Sequence, residues 1–375
     1  MKRQEPSFSP PAIPDLRRQD IMRFSLWGLF FFHSIWGILA IFAAREMSAD
    51  PWSLPLRQCL WMLAGAVVMF FCGQIPFRLW RRTAPVFGLL VPIVLTTVML
   101  WGTRINGMQG WFTVGDIQLQ PSELLKGPFL LFLAVILSLA RSSGSRLLYL
   151  FALLITASGC FLLLLEPDCA MALLYLAMFF LLLFLCGVSR KYFLLTLAGI
   201  PILFLVALWK FDYLKDRLHG FLDPASDPTG AGWHVRQFLS AAARGGETGR
   251  GLFDADWSNI YLPFAYNDSI FATIMETIGC LGALIYLAAA AGLFAVIFLL
   301  AEKSREPSRQ LFLYGAAFFY GLQTLLHVSI NLVLLPPSGL TLPLISYGGS
   351  SMLCFAIIFG LVLSASDTQE LLSQE

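Results

Sequence analysis

A handful of ionisable residues stand where this chain can least accommodate charge. Asp268 enters a long hydrophobic run and Glu276 lies inside it. Glu123 and Lys126, three residues apart, open another run, and Asp168 ends the short turn Glu166-Pro167-Asp168 between two more. A charge at the mouth of a membrane segment is costly to desolvate, so such residues usually face a cavity, a partner or a substrate. If the chain performs chemistry, it starts in residues 222 to 276, the one long polar interruption, which ends on these two acids.

Each residue also has a plainer reading. Glu123 and Lys126 share a helix face, either as an interfacial ion pair with a snorkelling lysine or as a charged floor beneath a cavity. Pro121-Ser122-Glu123 has the composition of a helix start, with Ser122 as a cap and Glu123 near the positive end of the dipole. Asp168 is a solvated turn residue or, the favoured reading, a cap for the next helix. Glu276 lies about 12 Å beyond Asp268 along a helix, too far to share its proton, and fits a structural partner within the bundle. Trp111 is an aromatic-belt anchor or, less commonly, a platform for stacking a sugar.

The elements that position these residues follow from hydropathy. Apolar residues make up 58% of the 375 and charged residues 13%, with a mean hydropathy of +0.74. This composition is that of an integral membrane protein. Nothing in it points to a nucleic-acid partner. The seven cysteines lack CxxC spacing and the four histidines lack ligand spacing, so neither a disulfide framework nor a protein-built zinc site is expected. Runs of about 20 apolar residues, the length that spans a bilayer, occur near 24 to 43, 58 to 76, 84 to 102, 122 to 140, 147 to 165, 169 to 187, 192 to 209, 269 to 300, 310 to 333 and 344 to 365. The expected fold is an all-α integral membrane protein of about ten transmembrane helices. The 269 to 300 run exceeds one span, which predicts tilt, a kink near Gly279 and Gly282, or continuation beyond the bilayer. The first run is too long for a signal-peptide core and is read as a retained span.

Basic residues sort the connections. Lys2, Arg3, Arg17, Arg18 and Arg23 precede the first run, and every second connection after it is basic. Both termini are therefore expected to be cytoplasmic and the loop at 210 to 268, between helices 7 and 8, extracytoplasmic. The organisation is a cytoplasmic segment at 1 to 23, a membrane domain at 24 to 366 and a cytoplasmic tail at 367 to 375. Within the loop, Val235, Phe238, Leu239 and Ala242 fall at helical spacing, with Arg236, Gln237, Ser240 and Arg244 elsewhere around the wheel. That pattern predicts an amphipathic helix on the outer leaflet, ended by Gly245-Gly246. Its arginines either bind lipid phosphate or are solvated. The proline- and glycine-rich stretch at 335 to 351, LPPSGLTLPLISYGGSS, breaks two helices where backbone must line a cavity or be covered by protein.

Six stretches in this order, NGMQGWFTVGDIQLQPSELLK, LEPD, DPASDPTGAGWHVRQ, ARGGETGRGL, YLPFAYNDSIFATIMETIG and GLTLPLISYGGSS, resemble the SEDS family, whose members include FtsW, RodA and SpoVE. The resemblance covers most of residues 100 to 365 and leans toward the FtsW branch. It implies a peptidoglycan glycosyltransferase that polymerises lipid II at the outer face of the bacterial plasma membrane, for division or cell shape. It implies inversion at the anomeric carbon and an undecaprenyl pyrophosphate leaving group. Asp268 falls on the family's catalytic aspartate. Trp111, Glu123, Lys126, Asp168, Arg236, Gln237, Ser346 and Tyr347 fall on positions expected to bind substrate, and Glu276 on a supporting one. The expected partners are lipid II and the growing strand, a class B penicillin-binding protein and other divisome or elongasome membrane proteins. A divalent cation, Mg2+ or Mn2+, is the one cofactor to be considered, with Asp268 as a possible ligand; no organic cofactor is implied. The chain departs from the usual pattern at Gly110, Phe264, Tyr266, Asn267, Thr277 and His327. A lipid flippase and a non-catalytic scaffold are the competing readings.

Overall fold

The structure is a computed structural model and describes residues 13–105, 107–187, 193–194, 197–199, 211–225 and 230–366. The expected apolar runs become α1 (Ile13–Ala43), α2 (Ser53–Gln74), α3 (Phe77–Trp101), α5 (Lys126–Ser143), α6 (Arg146–Leu165), α7 (Cys169–Leu185), α11 (Ile270–Lys303), α12 (Pro307–Asn331) and α13 (Gly349–Ala365). The run near 192 to 209 lies largely outside the described residues. Seven helical segments among the described residues are long and apolar enough to cross a membrane; α7 and α13 are shorter apolar helices. The chain is a multi-pass membrane protein.

Burial separates the helices. α5 and α13 are almost wholly covered, and Phe129, Phe132, Phe355 and Phe359 fill the centre. α2, α3 and α6 instead leave one apolar face open, with Leu63, Val67 and Phe70, Leu89 and Ile93, and Leu154 and Phe161 exposed. In water such faces would be unstable, so this perimeter is where lipid tails belong.

Three features elaborate the bundle, of which only the first departs from all-α and the third is the kink expected near Gly279. The first is a small antiparallel sheet of β1 (Thr103–Ile105), β2 (Met108–Val114) and β3 (Ile117–Leu119). Gly107 and Gly115, both at positive φ, turn its hairpins as only glycine does without strain. The sheet leads into a one-turn helix, α4 (Pro121–Leu124), with Pro121 at its first position. Ser122 is therefore inside the first turn, and its Oγ is buried without a partner, which corrects its reading as the cap.

The second feature lies between α7 and α11. Helices α8 (Asp212–Leu222), α9 (Ala231–Gly245) and α10 (Asp256–Ile260) form a cap over one end of the bundle, hereafter the loop face. α9 is amphipathic as expected, but its apolar side packs on α11 rather than on lipid. Val235, Phe238 and Ala241 are buried while Leu239 is exposed. The outer-leaflet reading is corrected because Ala265, Ala272 and Ile330 cover that side.

The third is a break in α11. Gly279 adopts φ 66°, ψ −171° within the helix. The part from Gly279 to Lys303 is about 37 Å long at 1.5 Å per residue, enough to cross a bilayer alone, so the turns from Ile270 stand beyond the span. Residues 246 to 251 are spliced into the break. The amides of Arg250 and Gly251 donate to the carbonyls of Glu276 and Thr277 (3.0 and 2.9 Å), and those of Cys280 and Leu281 donate to Gly246 and Glu247 (2.9 and 3.0 Å). Four backbone groups orphaned by the break are thereby satisfied. A side chain at Gly279 would place its Cβ 2.4 Å from the Glu247 carbonyl oxygen.

Candidate active site

Asp268 ends a turn-rich segment that neighbouring elements hold by its backbone. Asn331 Nδ2 donates to the Asp268 carbonyl (3.0 Å), and Asn331 Oδ1 accepts from the Ala272 amide (3.0 Å). Ser346 Oγ donates to the Asn267 carbonyl (2.8 Å), and the Tyr347 amide to that of Tyr266 (2.9 Å). Ser269 Oγ donates to Pro263 (2.6 Å). With its backbone fixed, the Asp268 side chain is delivered into a cavity of about 300 Å³ on the loop face. Arg217 of α8, His234 and Phe238 of α9, Phe264, Ile330 and the irregular segment at 337 to 339 line it. One Asp268 oxygen lies 3.6 Å from where a Cβ on Gly339 would stand.

The electrostatics favour a proton acceptor. Burial pushes the Asp268 carboxyl up to about 6; Arg217 pulls it back and the charge of Asp168 pushes it further. Asp168 is likewise raised to about 6 by burial, against the hydrogen bond from the Met171 amide, and it feels Glu123, Lys126 and Arg217. That amide lies 3.0 Å from Asp168 Oδ1, the helix cap expected of it, and Gln120 Nε2 donates to Oδ2 (3.2 Å). Glu166 is raised to about 8 by burial and by Asp168. His234 is lowered by burial and by Arg217.

Below this lies a sealed ion pair. Lys126 Nζ is 2.6 Å from Glu123 Oε2, with the lysine side chain wholly buried and the glutamate nearly so. Lys126 also donates to Gln323 Oε1 (3.1 Å) and lies over the rings of Phe319 and Phe355. It does not snorkel, so the interfacial reading is corrected: the pair is enclosed, and its geometry offsets the desolvation of two charges. Gln323, His327 and Asn331 repeat every fourth residue on α12, forming one buried polar stripe. Gln323 Nε2 donates to the carbonyl and hydroxyl of Thr341 (3.0 and 3.1 Å), His327 Nδ1 meets the Leu340 carbonyl (2.7 Å), and Asn331 holds Asp268. The stripe thus connects the ion pair to the aspartate and pins the irregular 332 to 348 segment between them.

Other expected site residues are placed differently. Trp111 is half-buried in β2, paired with Thr103, and does not line the cavity. Arg236 is exposed and Gln237 buried, while the cavity takes its lining from His234 and Phe238 on the same helix. Ser346 and Tyr347 brace the Asp268 segment through hydrogen bonds and do not line the cavity. Glu276 is structural, but its partners come from the cap rather than the bundle. It accepts from the amides of Trp257 and Ser258 (3.0 and 2.8 Å) and from Ser258 Oγ (2.5 Å), and pairs with Arg244 at 3.6 Å.

Arg217, His234 and Phe264 join the site only through the fold. The every-fourth spacing of Gln323, His327 and Asn331 in a largely apolar run is a signal the sequence offers for the α12 stripe. Arg217 carried no such signal, being one cation in a polar loop.

Among the described residues, no three histidine, cysteine, aspartate or glutamate side chains converge as a cation would require. The residues present do not by themselves fit a Mg2+ or Mn2+ site.

The class that fold and site define is a multi-pass helical membrane protein with one carboxyl, Asp268, open to a cavity on its loop face. The profile of the FtsW, RodA and SpoVE family, described as cell cycle proteins, matches residues 19–371, and the chain belongs to that family. It is 35% identical to the protein named "Probable peptidoglycan glycosyltransferase FtsW" of Nitrosococcus halophilus, over 87% of this chain and 86% of that one. The protein of the same name from Coxiella burnetii is 32% identical, over 87% and 91%. Among solved structures, a chain from work on the structural coordination of polymerization and crosslinking by a peptidoglycan synthase complex matches with a TM-score of 0.75 at 31% identity, over 91% of this chain and 97% of that one. The rod shape determining protein RodA of Thermus thermophilus matches with a TM-score of 0.66 at 27% identity, over 91% and 95%.

Proposed function

We propose that this chain is a peptidoglycan glycosyltransferase that polymerises lipid II into glycan strands at the extracytoplasmic face of the bacterial plasma membrane. The observation that carries this reading is the Asp268 carboxyl, held by its backbone and open to a cavity that also contains Arg217 and His234. Asp268 takes the proton of the acceptor sugar's 4-hydroxyl. The hydroxyl oxygen then forms the new bond to the anomeric carbon, and the carbon–pyrophosphate bond breaks with its electrons leaving on undecaprenyl pyrophosphate. Attack on the face opposite the leaving group inverts the anomeric centre. A carboxyl near 6 is largely ionised at neutral pH yet more basic than an ordinary aspartate, which suits general base catalysis.

The leaving group is already acidic, so it needs charge stabilisation rather than a proton. Arg217 supplies that charge in this reading, and His234, held toward its neutral form by burial and by Arg217, offers a hydrogen bond. Lys126, engaged by Glu123 and Gln323, sets the floor through Asp168 and the α12 stripe. A divalent cation would assist by screening the pyrophosphate, and no step here depends on one. The loop face is extracytoplasmic in this reading, in agreement with the basic connections on the opposite side. Lipid II and the growing strand enter there, beside a class B penicillin-binding protein and other divisome or elongasome membrane proteins.

The test is polymerisation of labelled lipid II by the purified protein with its cognate transpeptidase, comparing wild type with Asp268→Ala. Polymer from the wild type alone is expected. Equal product from both would sink the general-base role, and none from a folded wild-type complex would favour a scaffold or a transporter.

A further inference from the structure

Phe264 is the anomaly of the cavity. Its φ is +49°, a left-handed conformation rare for a bulky side chain, and 47% of its surface is exposed. Neither feature stabilises the fold by itself. Strain of this kind persists only where the surroundings over-determine it, and it concentrates at functional sites. Here they do: the amides of Asn267 and Ser269 both donate to the Phe264 carbonyl (2.8 and 3.4 Å), and Ser269 Oγ ties down Pro263 immediately before it (2.6 Å).

The cavity wall is divided by chemistry. Arg217, His234 and Asp268 supply charge and hydrogen bonding, while Phe264 supplies an exposed aromatic ring four residues from the aspartate. The other phenylalanine of the lining, Phe238, is only 3% exposed, so its ring faces are already covered. The His234 ring packs edge-on against Trp233. A pyranose ring has the complementary division, with hydroxyls around its edge and an apolar C–H face. Trp111, the residue whose type first suggested stacking, does not reach this cavity.

Resting on the glycosyltransferase reading above, we infer that Phe264 is the platform on which a sugar ring of the lipid-linked substrate stacks, orienting it beside Asp268. Phe264 binds and takes no part in proton transfer. The contact exists in the ground state as well as the transition state, so its loss raises KM and leaves kcat nearly unchanged.

The decisive experiment is steady-state polymerisation of lipid II by the full-length protein with its cognate transpeptidase, for wild type and Phe264→Ala, Phe264→Leu, Phe264→Trp and Phe264→Gly. An aromatic contact of ordinary strength corresponds to about 3- to 10-fold in binding. Ala, Leu and Gly should raise KM by about that factor with kcat within about twofold, and Trp should restore wild-type KM. Phe264→Gly relieves the backbone strain, so its melting temperature should not fall, which keeps the test clear of misfolding. A wild-type KM in Phe264→Leu would overturn the inference in favour of a merely apolar cover, such as one for the prenyl chain. Lost transpeptidase co-purification with unchanged KM would overturn it in favour of a docking contact. Wild type that makes no polymer at all would instead bring down the glycosyltransferase reading, and this inference with it.

Discussion

Asp268 and Glu276 lie eight positions apart on one segment and have opposite surroundings. Glu276 is buried and receives two amides, a hydroxyl and a guanidinium, all from the cap. The Asp268 carboxylate has no hydrogen-bond donor among the described residues, and only its backbone is held. A buried acid saturated with donors is a fastener: it ties α9 and α10 to the first turns of α11. An acid pushed up by burial and left open to a cavity is poised to take a proton. The same residue class performs both tasks, and the donors around it decide which.

The comparison predicts a hierarchy of effects. Largest is the loss of polymer in Asp268→Asn, about 10² to 10⁴ in rate with the fold intact, read from lipid II turnover and size-exclusion behaviour. A variant that kept its activity would break the contrast at once. Next is Lys126→Met, which strands Glu123 in the bundle without its counter-ion and should cost about 3–5 kcal/mol of stability. Adding Glu123→Gln should recover much of that, as measured by thermal unfolding in detergent. If the single variant melts like wild type, the sealed pair is not the fastener its geometry implies.

Glu276→Gln should come third. Turning one acceptor into a donor among four donors should cost about 1–3 kcal/mol and make residues 245 to 260 more sensitive to protease. Its effect on KM and kcat should follow the loosened cap rather than any change in pH profile.

The pH dependence sharpens the other side of the contrast. With Asp268 at about 6, log kcat/KM should rise with slope near one as pH increases toward 6 and flatten above. Asp268→Asn should flatten that limb. The stability sign runs opposite to that of a paired acid. The folded value lies above the ordinary 3.8, so ionisation is disfavoured in the fold, and wild type loses stability relative to Asp268→Asn as pH climbs from about 4 to about 6. The variant should therefore melt with wild type near pH 4 and above it at pH 8, by about 1–3 kcal/mol at most. Equal melting at both would mean the carboxyl is not desolvated.

Hydropathy runs longer than a bilayer, the glycine at 279, the Pro121 helix start and the Asp168 cap were all legible in the chain, because each is a local consequence of solvent, backbone sterics or capping. The acids and bases at span edges were legible for the same reason: apolar surroundings make any charge conspicuous. Distances across the fold were not. That Lys126 is sealed against Gln323, 197 residues away, that α9 covers α11 instead of lipid, that Glu276 fastens the cap, and that Arg217, His234 and Phe264 gather at Asp268 while Trp111 and Arg236 do not, depend on which faces meet. Periodicity says that a helix has an apolar face. Only packing says what covers that face, and the polar groups left uncovered at the junctions are where this protein keeps its site.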